Sequence, residues 1–166
     1  MKAPKGLATR PMMDRVKEAI FSSLGAVVVG ARVLDLYAGS GSLGLEALSR
    51  GAVSATFVEW SRSARSILRE NMVSLGLEGE VVPARVEEYL QRVGPEVNLV
   101  FVDPPYAVAL PSVENVLGLV GRRLTEGGIV VLHRRAGSGE VVAPQDLRVA
   151  DRRRYGDAEV TRLVKE

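Results

Sequence analysis

Two short stretches of this chain carry residue types that can do chemistry together. The first runs from Asp35 to Gly44 and reads DLYAGSGSLG, in which Gly39, Gly41 and Gly44 match G-x-G-x-x-G. Small residues let a backbone turn tightly and approach a ligand closely. Glu59 follows Gly39 by twenty residues. An acid at that distance, ending the next strand, can accept hydrogen bonds from both hydroxyls of a ribose. The glycines alone suit a dinucleotide equally well. Two features point elsewhere: Asp35 lies four residues before the first glycine, and the SGSLG stretch has no lysine, so it is no phosphate-binding P-loop. D-x-x-x-G-x-G beside an acid-ended second strand is the pattern of S-adenosylmethionine sites. There the glycines pack against the amino-acid half of the cofactor. The expected cofactor residues are Asp35, Tyr37, Ala38, Gly39, Ser40, Gly41, Gly44 and Glu59. Trp60 either covers the adenine face or packs locally.

The second stretch is Asp103-Pro104-Pro105-Tyr106. Two prolines after an apolar strand stiffen the turn and fix its carbonyls. A carboxylate, rigid carbonyls and an aromatic face then sit together, which suits a planar substrate with an exocyclic amine. The ring of Tyr106 would stack on that plane, with Pro105 beside it. Asp103 and the Pro104 carbonyl would accept the hydrogens of the amine. A nucleobase amine is a poor nucleophile because its lone pair is delocalised into the ring. Acceptors that hold its hydrogens out of plane free the lone pair and stabilise the positive charge that develops on attack at a sulfonium methyl. Asp103, Pro104 and Tyr106 are the expected catalytic residues. No covalent enzyme intermediate is required.

Composition narrows the remaining chemistry. The 166 residues are 46% hydrophobic and 25% charged, ordinary for a globular chain and enough for one buried core. With no cysteine and one histidine, His133, the chain can offer neither a thiol nucleophile nor a cysteine- or multi-histidine metal site. No apolar run is long enough for a membrane span, and MKAPKGLATRP lacks the apolar stretch of a signal peptide. A cytoplasmic location, no metal and a monomer are expected. Residues 1–24 carry five basic against two acidic residues, residues 25–120 seven against eleven, and residues 121–166 ten against seven. Basic ends around an acidic middle fit a polyanion held by the termini.

The elements that must position these residues follow from patterning. Met13–Leu24 carries Val16, Ile20 and Leu24 at helical spacing, with Asp14 as the expected cap. Strands are expected at 31–37, 54–59, 80–83, 97–102 and 128–133. Helices are expected at 43–50, from Ser61 to Gly76, at 87–93 and at 112–124. A closing hairpin at 147–154 and 158–164 would turn at Tyr155–Asp157. Strands alternating with helices argue for a parallel sheet covered on both faces, with ligands beyond the carboxyl ends of the strands. Residues 1–166 would form a single domain: a basic segment and helix (1–24), a cofactor and catalytic core (31–133) and a C-terminal hairpin (147–164).

The order of motifs resembles one known family along nearly the whole chain. RPMMDRVKEAIF at 10–21 resembles the family's RPT-x-DRV-(R/K)-E-x-(L/I)-F opening. LDLYAGSGSLGLEALSRGA at 34–52 resembles its cofactor loop and following helix, and FVE at 57–59, VFVDPPY at 100–106 and the late YGD its further landmarks. These are the RsmD-type small-subunit (16S) ribosomal RNA guanine-N2 methyltransferases of bacteria. The resemblance implies an α/β, Rossmann-like three-layer sandwich with a seven-stranded, mostly parallel sheet and an antiparallel last strand. It implies S-adenosylmethionine as cofactor and transfer of its methyl to the N2 amine of a guanine in small-subunit rRNA. The partner would be the small ribosomal subunit or an assembly intermediate, which could supply shape and phosphates to a chain with no room for a separate recognition domain. Three positions depart from the pattern. Met12 stands where a threonine is usual, and Ala84-Arg85-Val86 where an Asp or Asn meets the adenine amine. Arg85 is therefore placed in the cofactor set with its backbone as the contact. His133-Arg134 stands where an acid is common. His133 could reach the pocket, but the expectation is a capped strand end.

Arg10, Arg15, Arg152 and Arg154 are the further candidates for substrate contact, through phosphates. On a strand, alternate residues of Arg152-Arg153-Arg154 face opposite sides. A DNA adenine-N6 methyltransferase would share the DPPY chemistry but lacks a recognition domain here. A nicotinamide-dependent oxidoreductase would use the glycine loop and leave Asp103–Tyr106 unexplained. A non-catalytic RNA-binding assembly factor would need neither motif intact.

Overall fold

The computed structural model describes residues 10–166, with side chains from residue 13 onward. Seven strands form one sheet: β1 (Arg32–Leu36), β2 (Ser54–Val58), β3 (Glu80–Val82), β4 (Val97–Val102), β5 (Leu124–Arg135), β6 (Leu147–Tyr155) and β7 (Ala158–Lys165). Their spatial order is β3-β2-β1-β4-β5-β7-β6. Strands β1 to β5 are parallel, β7 runs antiparallel between β5 and β6, and β6 therefore points the same way as the first five. The helices are α1 (Arg10–Leu24), α2 (Ser42–Ser49), α3 (Arg62–Leu75), α4 (Val86–Gln91) and α5 (Leu110–Gly121).

Two apolar layers hold the sheet. On one face Val33, Phe57, Leu99, Phe101 and Val131 meet Ile20 and Phe21 of α1, Leu45 of α2 and Leu68 of α3. On the other, Leu34, Leu36, Val100, Val102 and Leu132 meet Leu90 of α4 and Val113, Val116 and Leu117 of α5. Strand β4 reads VNLVFV because it is covered on both sides, so alternation with polar residues is absent. Phe21 and Phe101 pack with ring centroids 5.7 Å apart and planes tilted by 52°, a favourable aromatic arrangement. The chain leaves β1 toward β2 on one side and reaches β4 on the other, so the strand order reverses beside β1. A crevice opens at such a switch point, beyond the carboxyl ends of the strands.

The expected elements are all present with shifted ends. Helix α1 starts at Arg10 rather than Met13, with Pro11 in the first turn where its missing N–H leaves no bond unmade. Asp14 is thus an exposed residue inside the helix and not its cap. Helix α3 does have its cap: the Ser61 hydroxyl accepts from the Ala64 amide at 3.3 Å, and Gly76 ends the helix at φ 67°. Strand β5 is longer than expected, because Gly127 at φ 75° and a register shift against β4 let residues before Gly128 rejoin the sheet. At the other end Arg134 and Arg135 continue the strand by pairing with Glu159 and Ala158 of β7, so His133 lies within β5 and is not a capped strand end. The β6–β7 hairpin closes on Gly156-Asp157, with Tyr155 opposite Ala158.

Candidate active site

Strand β1 delivers Asp35 to the floor of the crevice, where it is 1% exposed. Its Oδ2 accepts the Gly44 amide at 2.9 Å. Helix α2 begins after Gly41, which has no side chain to cap it, so Asp35 satisfies one of the open amides of its first turn from the strand below. Burial drives the Asp35 carboxyl well above the usual carboxylate range. The Gly44 hydrogen bond opposes this, and the nearby charges of Asp103 and Glu59 reinforce it. Between Asp35 and the helix the chain turns sharply. Tyr37 is the one non-glycine residue with positive φ among those described, at 56°. Such a backbone is held at a cost of order 1–3 kcal/mol and clusters at functional sites.

The glycines of the loop serve different ends. A Cβ on Gly41 would strike Leu68, and one on Gly44 would strike the Phe57 ring and lie 2.9 Å from Asp35 Oδ2. These two allow close packing. Gly39, at φ 57°, has nothing within 4 Å of its missing Cβ and leaves the backbone open. Its amide donates to Glu59 Oε1 at 2.8 Å, while Glu59 Oε2 accepts the Ser61 amide at 2.8 Å. Glu59 therefore ties the glycine loop to the start of α3 besides facing the crevice. Ala38 is secured by its amide on the Val58 carbonyl at 3.1 Å, and the Ser40 carbonyl accepts from Asn71 Nδ2 at 3.0 Å.

Trp60 projects from the end of β2 and remains 57% exposed. The Arg85 guanidinium lies 4.9 Å from its ring centroid, a cation–π stack. The Arg65 guanidinium donates to the Glu59 and Trp60 carbonyls at 3.2 and 2.6 Å and stiffens this corner. The Tyr37 hydroxyl stands 3.5 Å from Glu87 Oε1, and burial with that neighbouring charge pushes its ionisation upward.

The second motif follows β4. Pro104 is buried, while Pro105 and Tyr106 are exposed at the rim. Asp103 Oδ1 is 2.8 Å from His133 Nδ1. The rings of Tyr106 and His133 meet edge to face at 6.5 Å and 72°. Burial, and then the Asp103 charge, raise the Tyr106 phenol. One cleft of about 930 Å³ joins both motifs, from Gly39, Glu59, Trp60 and Arg85 to Asp103 and His133. That is the size of a site for a small organic ligand. A carboxylate beside a rigid turn at one end and an open glycine backbone with an exposed indole at the other could bring an amine-bearing planar group to a nucleoside-like ligand.

The arginine candidates divide. The side chain of Arg10 lies outside the described residues, and Arg15 is exposed on α1. Arg152 and Arg154 lie on the sheet edge. Arg152 pairs with Glu140 at 3.1 Å, and Arg154 donates to the Gly156 carbonyl at 3.2 Å. Arg153 and His133 both stand opposite Val160, so this arginine run is level with the part of β5 that borders the cleft, two strands away. Asn71 and the His133–Asp103 contact were not anticipated. Asn71 did leave a signal, as a polar residue one turn from Leu68 on the buried face of α3.

The sheet order, the antiparallel β7 and the cleft at the switch point make this the Rossmann-like fold of S-adenosylmethionine-dependent methyltransferases. A solved Escherichia coli structure described as "Putative methyltransferase yhhF" superposes with a TM-score of 0.88 at 32% identity, over 100% of this chain and 91% of that one. A hypothetical protein of Thermus thermophilus gives a TM-score of 0.82 at 33% identity, over 100% of this chain and 92% of that one. The chain belongs to the family described as conserved hypothetical protein 95, whose model matches residues 1–164; this bears out the RsmD-type resemblance. The Escherichia coli K12 protein named ribosomal RNA small subunit methyltransferase D is 42% identical over 107 residues, 64% of this chain. The match spans about half of that relative's length, 54%.

Proposed function

We propose that this chain methylates the exocyclic N2 amine of a guanine in small-subunit ribosomal RNA, using S-adenosylmethionine. The observation that carries the reading is that Asp103, on its proline-stiffened turn, opens into the same cleft as the glycine loop and Glu59. The relatives named small-subunit methyltransferases support the substrate class. The residues fit the cofactor: the cleft has the volume, Gly39 leaves its backbone uncovered, Glu59 ends β2 and Trp60 offers a flat face. When bound, S-adenosylmethionine would supply an electrophilic methyl carried on a sulfonium. Asp35, Tyr37, Ala38, Gly39, Ser40, Glu59, Trp60 and Arg85, which line the cleft, would hold it, while Gly41 and Gly44, expected in the same set, pack beneath the loop and shape its turn.

The chain's own part in the reaction is positioning and electrostatics. Asp103 and the Pro104 carbonyl accept the amine hydrogens and hold the lone pair out of conjugation. Tyr106 and Pro105, exposed at the rim, receive the face of the base. Asp103 stabilises the positive charge that grows on the nitrogen and lies where its surplus proton must leave. Arg15 and the Arg152–Arg154 edge meet phosphates of the particle, and the level of that edge with His133 supports one continuous footprint. We further propose that residues 1–166 act as one domain and as a monomer, in the cytoplasm. Among the described residues no helix is long and apolar enough to cross a membrane, and no group of His, Asp and Glu is arranged to hold a metal.

The deciding experiment gives labelled S-adenosylmethionine and this protein to unmethylated small ribosomal subunits, naked rRNA and unmethylated DNA, and digests each product to nucleosides. Label in N2-methylguanosine from the subunits is expected. Label in N6-methyladenine from DNA would replace the proposal with the adenine reading. Confirmed cofactor binding without label in any acceptor would refute the acceptor.

A further inference from the structure

Asp103 and His133 are the next residues after Val102 and Leu132, the last partners in the register of adjacent strands β4 and β5. Parallel pairing thus delivers both side chains to one point at the mouth of the cleft, with Oδ1 and Nδ1 2.8 Å apart. We propose that His133 is a positioning residue for the methyl transfer: neutral, it donates Nδ1–H to Asp103 and keeps that carboxylate aimed; protonated, it cancels the Asp103 charge and slows transfer. This rests on the function proposed above.

The hydrogen positions follow from the partners. A carboxylate has only acceptors, so Nδ1 must carry the hydrogen. One Asp103 oxygen is thereby occupied and oriented, leaving the other for the substrate amine. His133 Nε2 is buried, with no hydrogen-bond partner among the described residues. A bare lone pair tolerates that place better than a second N–H bearing charge. Burial favours the neutral ring. The Asp103 hydrogen bond and charge work the other way and prevail, holding the imidazole above its ordinary value. The titration therefore falls where a modest change of pH alters the pair from net negative to neutral.

The surroundings contain few competing charges. From β1, Asp35 faces Asp103. From the turn after β4, Tyr106 meets the imidazole in an edge-to-face pair. Arg135 on β5 and Asp157 in the β6–β7 turn act on Tyr106 with opposite signs. From β7, the residue opposite His133 is the apolar Val160. Asp103 is thus the group with a direct hold on the ring.

The chain has one histidine, so in untagged protein its ring resonances stand alone and can be titrated by NMR without assignment. In Asp103→Asn the midpoint should fall by about one pH unit or more, the usual effect of removing an adjacent opposite charge. Calorimetry should show the affinity ratio of S-adenosylmethionine to its uncharged product declining several-fold as pH drops through the wild-type midpoint. That decline should vanish in His133→Asn, whose amide can still donate. Transfer to subunits should have an acid limb with the same midpoint, absent in His133→Asn. In His133→Phe, which removes the donor, transfer should fall about ten- to hundredfold, the scale of a lost hydrogen bond to a charged group. An unmoved midpoint in Asp103→Asn, or an unchanged acid limb in His133→Asn, would overturn the proposal. If wild type methylates no subunit at any pH, the acceptor reading fails, and the titration and affinity ratio still decide for or against His133.

Discussion

Replacing Gly44 with alanine sets two physical effects against each other. Gly44 lies in the first turn of α2, where alanine is the better helix former by about 1 kcal/mol. The methyl group, however, has no room. It would strike the Phe57 ring and lie 2.9 Å from Asp35 Oδ2. Phe57 is fully buried and cannot swing away, because it belongs to the same packed layer as Leu68 and Phe101. Overpacking a core of this kind costs about 1–3 kcal/mol. Pushing Asp35 off the Gly44 amide loses a hydrogen bond to a buried acid, about 1–3 kcal/mol more. The losses exceed the propensity gain, and Gly44→Ala should destabilise by about 1–5 kcal/mol. Urea unfolding followed by circular dichroism reads this directly, and the midpoint should fall with an unchanged slope. Phe57→Leu removes the main obstacle, so in that background Gly44→Ala should cost clearly less, a coupling that a double-mutant cycle measures. If Gly44→Ala were as stable as wild type, or if the two changes simply added, the steric account of this glycine would be wrong.

Other variants probe the remaining parts of the site. Asp103→Ala should abolish methyl transfer while lowering S-adenosylmethionine affinity by no more than the several-fold effect of the Asp103 charge; normal turnover would remove Asp103 from the mechanism. Glu59→Ala should weaken cofactor binding by about 1–3 kcal/mol and lower the melting temperature as well, because two backbone amides lose their acceptor. Unchanged affinity would contradict the ribose assignment. Arg152→Glu with Arg154→Glu should weaken binding to small subunits and flatten its salt dependence, whereas an unchanged salt slope in filter binding would put that edge outside the footprint.

Much of this site is legible in the sequence because its signals are local. Glycines after an apolar strand, an acid twenty residues on and two prolines after another apolar strand each record a backbone requirement within a few residues. Their spacing matches strand ends that the sheet places side by side, so both motifs were expected at one cleft. Element ends were less legible. Asp14 has the chemistry of a cap, but Arg10 and Pro11 already lie in α1, which starts a turn before that position. The extra length of β5 depends on the register of β4, which periodicity in β5 itself does not record.

Residue type and short-range order were enough for the alternation of strands and helices, the two motifs, the family and the choice of carboxylate and backbone chemistry in a chain without cysteine. What each residue does with its neighbours emerged only on folding. The folded chain turned Asp35 into the remote cap of α2, made Glu59 a brace as well as a candidate ribose ligand, and set Arg85 on Trp60. It also joined His133 to Asp103 across thirty residues of chain. These contacts arise from sheet register and side-chain direction between distant segments, and no spacing along a single strand encodes them.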